Sequence, residues 1–183
     1  MRKFVIICFI LFSMQLFSHP HVWIEYAVEV VFSEEGLQGL EIEWTFDEMF
    51  SWQIVMDYTE DQDYEISEEE NKMIEKEAFA YLAEFDYFAD FYLNGKKFEV
   101  KKAENFHAKC KGEFLVYHFY IPWKVPVKKE TTYLKISFFD ETIFCEVVPK
   151  KDGLKIKKAE NISAEYSMPD RITYQLNFWM NKE

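Results

Sequence analysis

Residues 21–32 read HVWIEYAVEVVF, and their parity decides the fold. Val22, Ile24, Tyr26, Val28, Val30 and Phe32 fall on one side of an extended chain, while His21, Trp23, Glu25 and Glu29 fall on the other. Successive side chains of a strand point to opposite faces, so this stretch spells a half-buried β-strand. After a polar turn at 33–37 containing Gly36, the pattern resumes: Leu40, Ile42, Trp44 and Phe46 alternate with Glu41, Glu43 and Asp47. Two such strands joined by a short loop form an antiparallel hairpin. If their apolar faces coincide, Phe32 pairs near Gln38. Antiparallel partners keep a constant index sum, so Trp23 then lies opposite Asp47. The His21 end of the first strand therefore meets the Asp47 end of the second.

The rest of the chain fits around this hairpin. A helical excursion is expected over about 47–86: Phe50, Ile54 and Val55 on a short helix, then Ile74, Ala78, Tyr81, Leu82 and Phe85 at helical spacing on a longer one. Ser67 followed by Glu70 is a capping-box pattern that starts the second helix. Asn94-Gly95, set between Phe91, Leu93 and Phe98, Val100, signals a tight hairpin. Further strands are expected at 106–111, 114–121, 133–139 and 143–148, near Ile162 and over 172–180. The fold class is α+β, mainly β: an antiparallel β-sandwich with an inserted helix-loop-helix.

Residues 1–18 read as an export signal, with Arg2 and Lys3 ahead of an apolar run from Phe4 through Phe12 and a more polar stretch ending in Ser18. The run is too short to span a bilayer. Cleavage after Ser18 leaves 19–183 as a single β-rich domain, periplasmic or secreted, with no direct membrane insertion. It begins His19-Pro20-His21. Losing Arg2 and Lys3 takes the formal charge from −12 to −14. That balance opposes nucleic acid and anionic lipid as partners and favours cations. The remaining cysteines, Cys110 and Cys145, both fall on apolar faces of predicted strands; a disulfide and two separate buried thiols both fit the pattern.

The new N-terminus carries the chemistry. A free α-amine and the imidazole of His19 can chelate one ion, and His21 lies on the same side of an extended chain. Pro20 has no amide proton to lose, which excludes the square-planar mode that needs a deprotonated second-residue nitrogen. The donor set suits nickel, cobalt, copper or zinc without choosing among them. A further ligand has to come from a neighbouring strand, and the hairpin register nominates Asp47 or Glu48; Asp47 also reads as a helix N-cap. The acidic loop between the helices aligns with an EF-hand: Thr59, Asp61, Asp63, Ser67 and Glu70 stand at positions one, three, five, nine and twelve. Thr59 replaces the first carboxylate and Tyr64 the turn glycine, so calcium is not expected as the cofactor. His107 shares a polar face with Lys109 and Lys111, His118 reads as a packed core histidine, and Asp140-Glu141 as a turn. No nucleophile with an adjacent base, phosphate loop or paired-carboxylate pattern is present, which points away from an enzyme.

HPHVWIEY at 19–26, EWTFDEMFS at 43–51, the acidic loop before SEEE and FFDETIFCE at 138–146 together resemble the bacterial family of unknown function numbered 1007, often described as an uncharacterised ABC-type transport periplasmic component. The resemblance implies motif roles for His19, His21, Asp47 and Asp140, and transition-metal handling beside a nickel/cobalt-type permease or exporter in the inner membrane. Glu141 departs from the family's usual proline after the aspartate. The leading expectation is a metal-binding transport accessory. An adaptor domain that docks a membrane transporter without metal is the alternative, and a copper oxidoreductase using the histidine chelate a third.

Overall fold

A computed structural model describes residues 21–181. The leader and His19 lie outside the described residues. Ten strands form two five-stranded sheets. The first has the order β5-β6-β2-β1-β8, from Glu104–Lys111 (β5), Phe114–Pro126 (β6), Gly36–Phe46 (β2), Val22–Ser33 (β1) and Cys145–Lys157 (β8). The second has the order β4-β3-β7-β10-β9, from Lys96–Phe98, Phe91–Leu93, Thr132–Ile136, Tyr174–Met180 and Ile162–Ser167. The mainly β, α+β architecture is thus as expected, with one departure: β1 pairs with β8 in parallel, every other strand pair being antiparallel. Among the described residues no helix is long and apolar enough to cross a membrane.

The hairpin register agrees with the parity argument. Ile24 pairs with Phe46 and Val31 with Gly39, until a bulge shifts Phe32 onto Leu37. Gly36 closes the turn at φ +134°, and a Cβ there would lie 2.2 Å from the carbonyl oxygen of Val125, so both conformation and space require glycine. Asn94 and Gly95 both take left-handed φ, as a tight two-residue turn between β3 and β4 demands.

Between β2 and β3 lie α1 (Glu48–Tyr58) and α2 (Glu68–Ile74); the chain continues from α2 through a π turn and a 3₁₀ stretch ending at Phe88. Ser51 Oγ accepts from Leu115 N (2.8 Å), fastening α1 to β6, and Asn71 Oδ1 accepts from Ala108 N (2.6 Å), fastening α2 to β5. Asp86, Tyr87 and Phe88 are three consecutive left-handed residues that turn the chain into β3. Such a run costs roughly 1–2 kcal/mol per residue. Buried Tyr87 and Phe88 stacked at 15° on Trp44 hold it in place.

Aromatic side chains join these layers. Tyr26 meets Phe138 and Tyr174 of the second sheet's side at 4.7 and 5.8 Å, and Phe32 meets Phe178 at 5.0 Å. Phe79 stacks on Phe106 at 4.2 Å, fixing the helical segment over β5 and β6. Trp44, fully buried, bridges the two groups through Phe119 (5.0 Å) and Phe138 (5.7 Å).

One expectation fails, that for His118, and one of the two readings left open for Cys110 and Cys145 is excluded. His118 is not a core residue: the inward side of β6 is Leu115, Tyr117, Phe119 and Ile121, and His118 sits half-buried on the outer face, 3.4 Å from Glu43 and opposite His107. Every second residue of β6 on both faces is bulky, so alternation alone did not identify the inner face. The Cys110–Cys145 bridge is also absent, both thiols being free. They lie on opposite edge strands with three strands between them, roughly 19 Å at 4.8 Å per strand, and a disulfide tolerates about 7 Å between Cα atoms. Because Trp44 joins the two packed groups, Trp44→Ala is expected to cost about 3–5 kcal/mol in urea unfolding. Trp44→Phe should cost much less.

Candidate metal centre at the start of β1

Strand β1 has β2 on one side and β8 on the other, so its first residues are gripped twice. On the β2 side, Trp23 N donates to Asp47 Oδ2 (2.7 Å) and Asp47 N donates to Trp23 O (3.0 Å), the pairing that the constant index sum requires. Asp47 Oδ1 accepts from Phe50 N (2.9 Å) and caps α1. Each carboxylate oxygen therefore already holds one amide proton, and ligation would use the remaining lone pairs. Glu48, the first residue of α1, is exposed and its carboxylate has no hydrogen bond among the described residues. With Trp23, Glu25, Asp47, Met49 and Phe114 it lines a hollow of about 560 Å³.

On the β8 side the organiser is Asp140. Its Oδ1 accepts from Thr142 N (2.8 Å) and Thr142 Oγ1 (2.7 Å), and its Oδ2 from Phe144 N (3.1 Å) and Cys145 N (2.8 Å). Burial opposes its ionisation, but the hydrogen bonds from the Thr142 hydroxyl and the Cys145, Thr142 and Phe144 amides outweigh burial and hold its pKa below the ordinary 3.8. The expected turn at 140–141 is present. The loop it builds offers Phe144 to β1: His21 N donates to Phe144 O (2.8 Å), and the two rings lie 5.1 Å apart, tilted by 30°. Phe144 is the residue that sequence reasoning missed, because the parallel β1–β8 pairing leaves no local pattern. Cys145 is pushed up to about 12 by burial, then by the charge and hydrogen bond of Asp140 and the charge of Asp47, so its thiol is inert at neutral pH.

His21, Asp47, Glu48 and Asp140 thus belong to one end of the molecule but do different things there. Asp140 is spent on its own loop. His21 presents an exposed imidazole with no ring hydrogen bond, and Glu48 a free carboxylate, among the described residues. In that same set no three His, Cys, Asp or Glu side chains are arranged to hold a metal.

The acidic loop has EF-hand placement with different wiring. Tyr64 takes φ +64°, the conformation that the turn glycine would have. Glu70 turns back onto the loop: Oε1 accepts from Glu60 N (2.8 Å) and Oε2 from Ser67 N and Ser67 Oγ (each 2.8 Å), and these backbone bonds to Ser67 and Glu60 lower its pKa. Thr59 Oγ1 donates to Val55 O, and Asp63 Oδ1 accepts from Glu65 N, while Asp61 is exposed. Oε1 keeps one lone pair but Oε2 already holds two protons, so bidentate ligation at position twelve would require Glu70 to give up at least one of its bonds to Ser67.

Residues 4–175 match the family described as "Protein of unknown function (DUF1007)", and the chain belongs to that family. An uncharacterised protein of Haemophilus influenzae is similar, 23% identical over 146 residues, which cover 79% of this chain and 69% of that relative.

Two outcomes test these local roles. Asp47→Ala removes the cap and the bond to Trp23, and should cost about 2 kcal/mol in chemical unfolding. Asp140 binds its proton less readily folded than unfolded, so its contribution is complete above pH 3.8 and disappears as pH falls through the lower, folded value. Melting curves of the protein and of Asp140→Asn should therefore differ at neutral pH and converge as pH drops below that range.

Proposed function

We propose that the chain is a periplasmic accessory that binds a divalent transition metal, nickel, cobalt, copper or zinc, and works beside a metal permease or exporter of the inner membrane. The observation that carries this reading is the placement of His21: an exposed imidazole that packs on Phe144 but, among the described residues, has no ring hydrogen bond, on a backbone gripped from both sides. A ligand held by a rigid support loses little freedom on binding. In this reading the α-amine and imidazole of His19 supply two donors, His21 a third, and Glu48 or a lone pair of Asp47 completes the set. The protein binds and hands over; it has no reaction to catalyse.

Both nitrogens of His19 must lose protons before they ligate, with ordinary pKa values of about 7.7 and 6.5, so affinity should fall steeply below neutral pH. Titration calorimetry with nickel, copper and zinc on protein beginning at His19 is the test. His21→Ala and a version with one extra N-terminal residue should each weaken binding by at least about ten-fold. Equal affinity in all three would overturn the proposal.

A second reading is favoured by the apolar side chains at the same end: Met49 is 67% exposed, Ile143 61% and Phe144 51%. Such groups suit an adaptor that docks on a membrane transporter without metal. Capture of the transporter that a chelator leaves unchanged would favour it.

A further inference from the structure

The outer face of the second sheet carries a shallow depression of about 340 Å³, away from both aspartate motifs. The register assembles it in two rows: Tyr92, Lys135 and Gln175 on adjacent strands β3, β7 and β10, then Tyr133 and Asn177 beside them. Tyr133 is 57% exposed. Gln175 is exposed and its amide makes no hydrogen bond among the described residues. Asn177 has a single long contact, Nδ2 to Glu165 Oε1 at 3.5 Å, which leaves its carbonyl oxygen open.

The charge is arranged to cancel. Lys135 lies 4.8 Å over the Tyr92 ring and 2.9 Å from Asp90 Oδ2, so the one cation lining the depression is already neutralised. In a chain of net charge −12 this is a locally neutral surface, and Glu165 at its margin repels anions. With its cation paired, the depression has no free positive charge to hold an anion, and an uncharged occupant that lays an apolar face on Tyr133 and offers hydroxyls that both donate and accept to the two amides matches the groups it presents. A pyranose ring has this combination: axial C–H groups on one face and equatorial hydroxyls around its edge. We propose that this face binds the hexopyranose units of a neutral oligosaccharide, with Tyr133 as the stacking platform and Gln175 and Asn177 as the hydroxyl-reading groups. This site does not depend on metal binding at the start of β1.

The test is an NMR titration of the whole protein with chitotetraose, cellotetraose and maltotetraose. At least one should give saturable shifts at Tyr133, Gln175 and Asn177. Aromatic stacking and single hydrogen bonds set the expected losses: about ten-fold in affinity for Tyr133→Ala and about five-fold for Gln175→Ala. Tyr133→Phe should stay within two-fold. The variants are on the surface, and an unchanged spectrum elsewhere shows that each is folded. Absence of binding by all three sugars, shifts confined to other residues, or unchanged affinity in Tyr133→Ala would each overturn the assignment.

Discussion

Strand β1 has both of its backbone edges occupied, by β2 on one side and by β8 on the other, and much else is fixed by that confinement. A slip of one residue would withdraw Ile24, Tyr26 and Val28 from the core and force in Trp23, Glu25 and Ala27. Full burial of each large apolar side chain is worth roughly 1.5–3 kcal/mol, so the correct register wins by a wide margin. The same confinement fixes the backbone at the start of β1. Trp23 is held by Asp47 and His21 by Phe144, so the backbone of the histidine has one position rather than a range.

The two motif aspartates solve one problem in two ways. Asp47 spans the end of a strand and the start of a helix, giving one oxygen to Trp23 and the other to Phe50. Asp140 closes a loop on itself and so delivers the Phe144 carbonyl. Neither needs a ligand to account for its presence; their direct effect is to position the backbone around His21. A site whose donors are few and terminal gains most from such support, because lost chain entropy would otherwise offset much of the binding energy.

The hairpin of β1 and β2, the capping box at Ser67 and the Asn94-Gly95 turn were legible in the sequence because each is written by neighbours a few residues apart. The Trp23–Asp47 pairing followed from register alone. What could not be read came from long-range pairing: the parallel β8 beside β1, hence the role of Phe144, and the opposite edges that separate Cys110 from Cys145. His118 was misplaced for a different reason, since Phe114, Val116 and Tyr120 make the outer side of β6 as bulky as the inner. An acidic loop between two helices was legible from spacing, while the hydrogen bonds that turn Glu70 inward lie below what spacing reveals.

The parallel partner of β1 also orders events in time. Val22 waits for Cys145, so the first sheet stays incomplete until most of the polypeptide has left the ribosome. Contacts of such sequence separation form late and slowly. The hairpin of β1 and β2 can close early, whereas the outer edge that β8 lends to β1, and with it the hold of Phe144 on His21, arrives only near the end of synthesis.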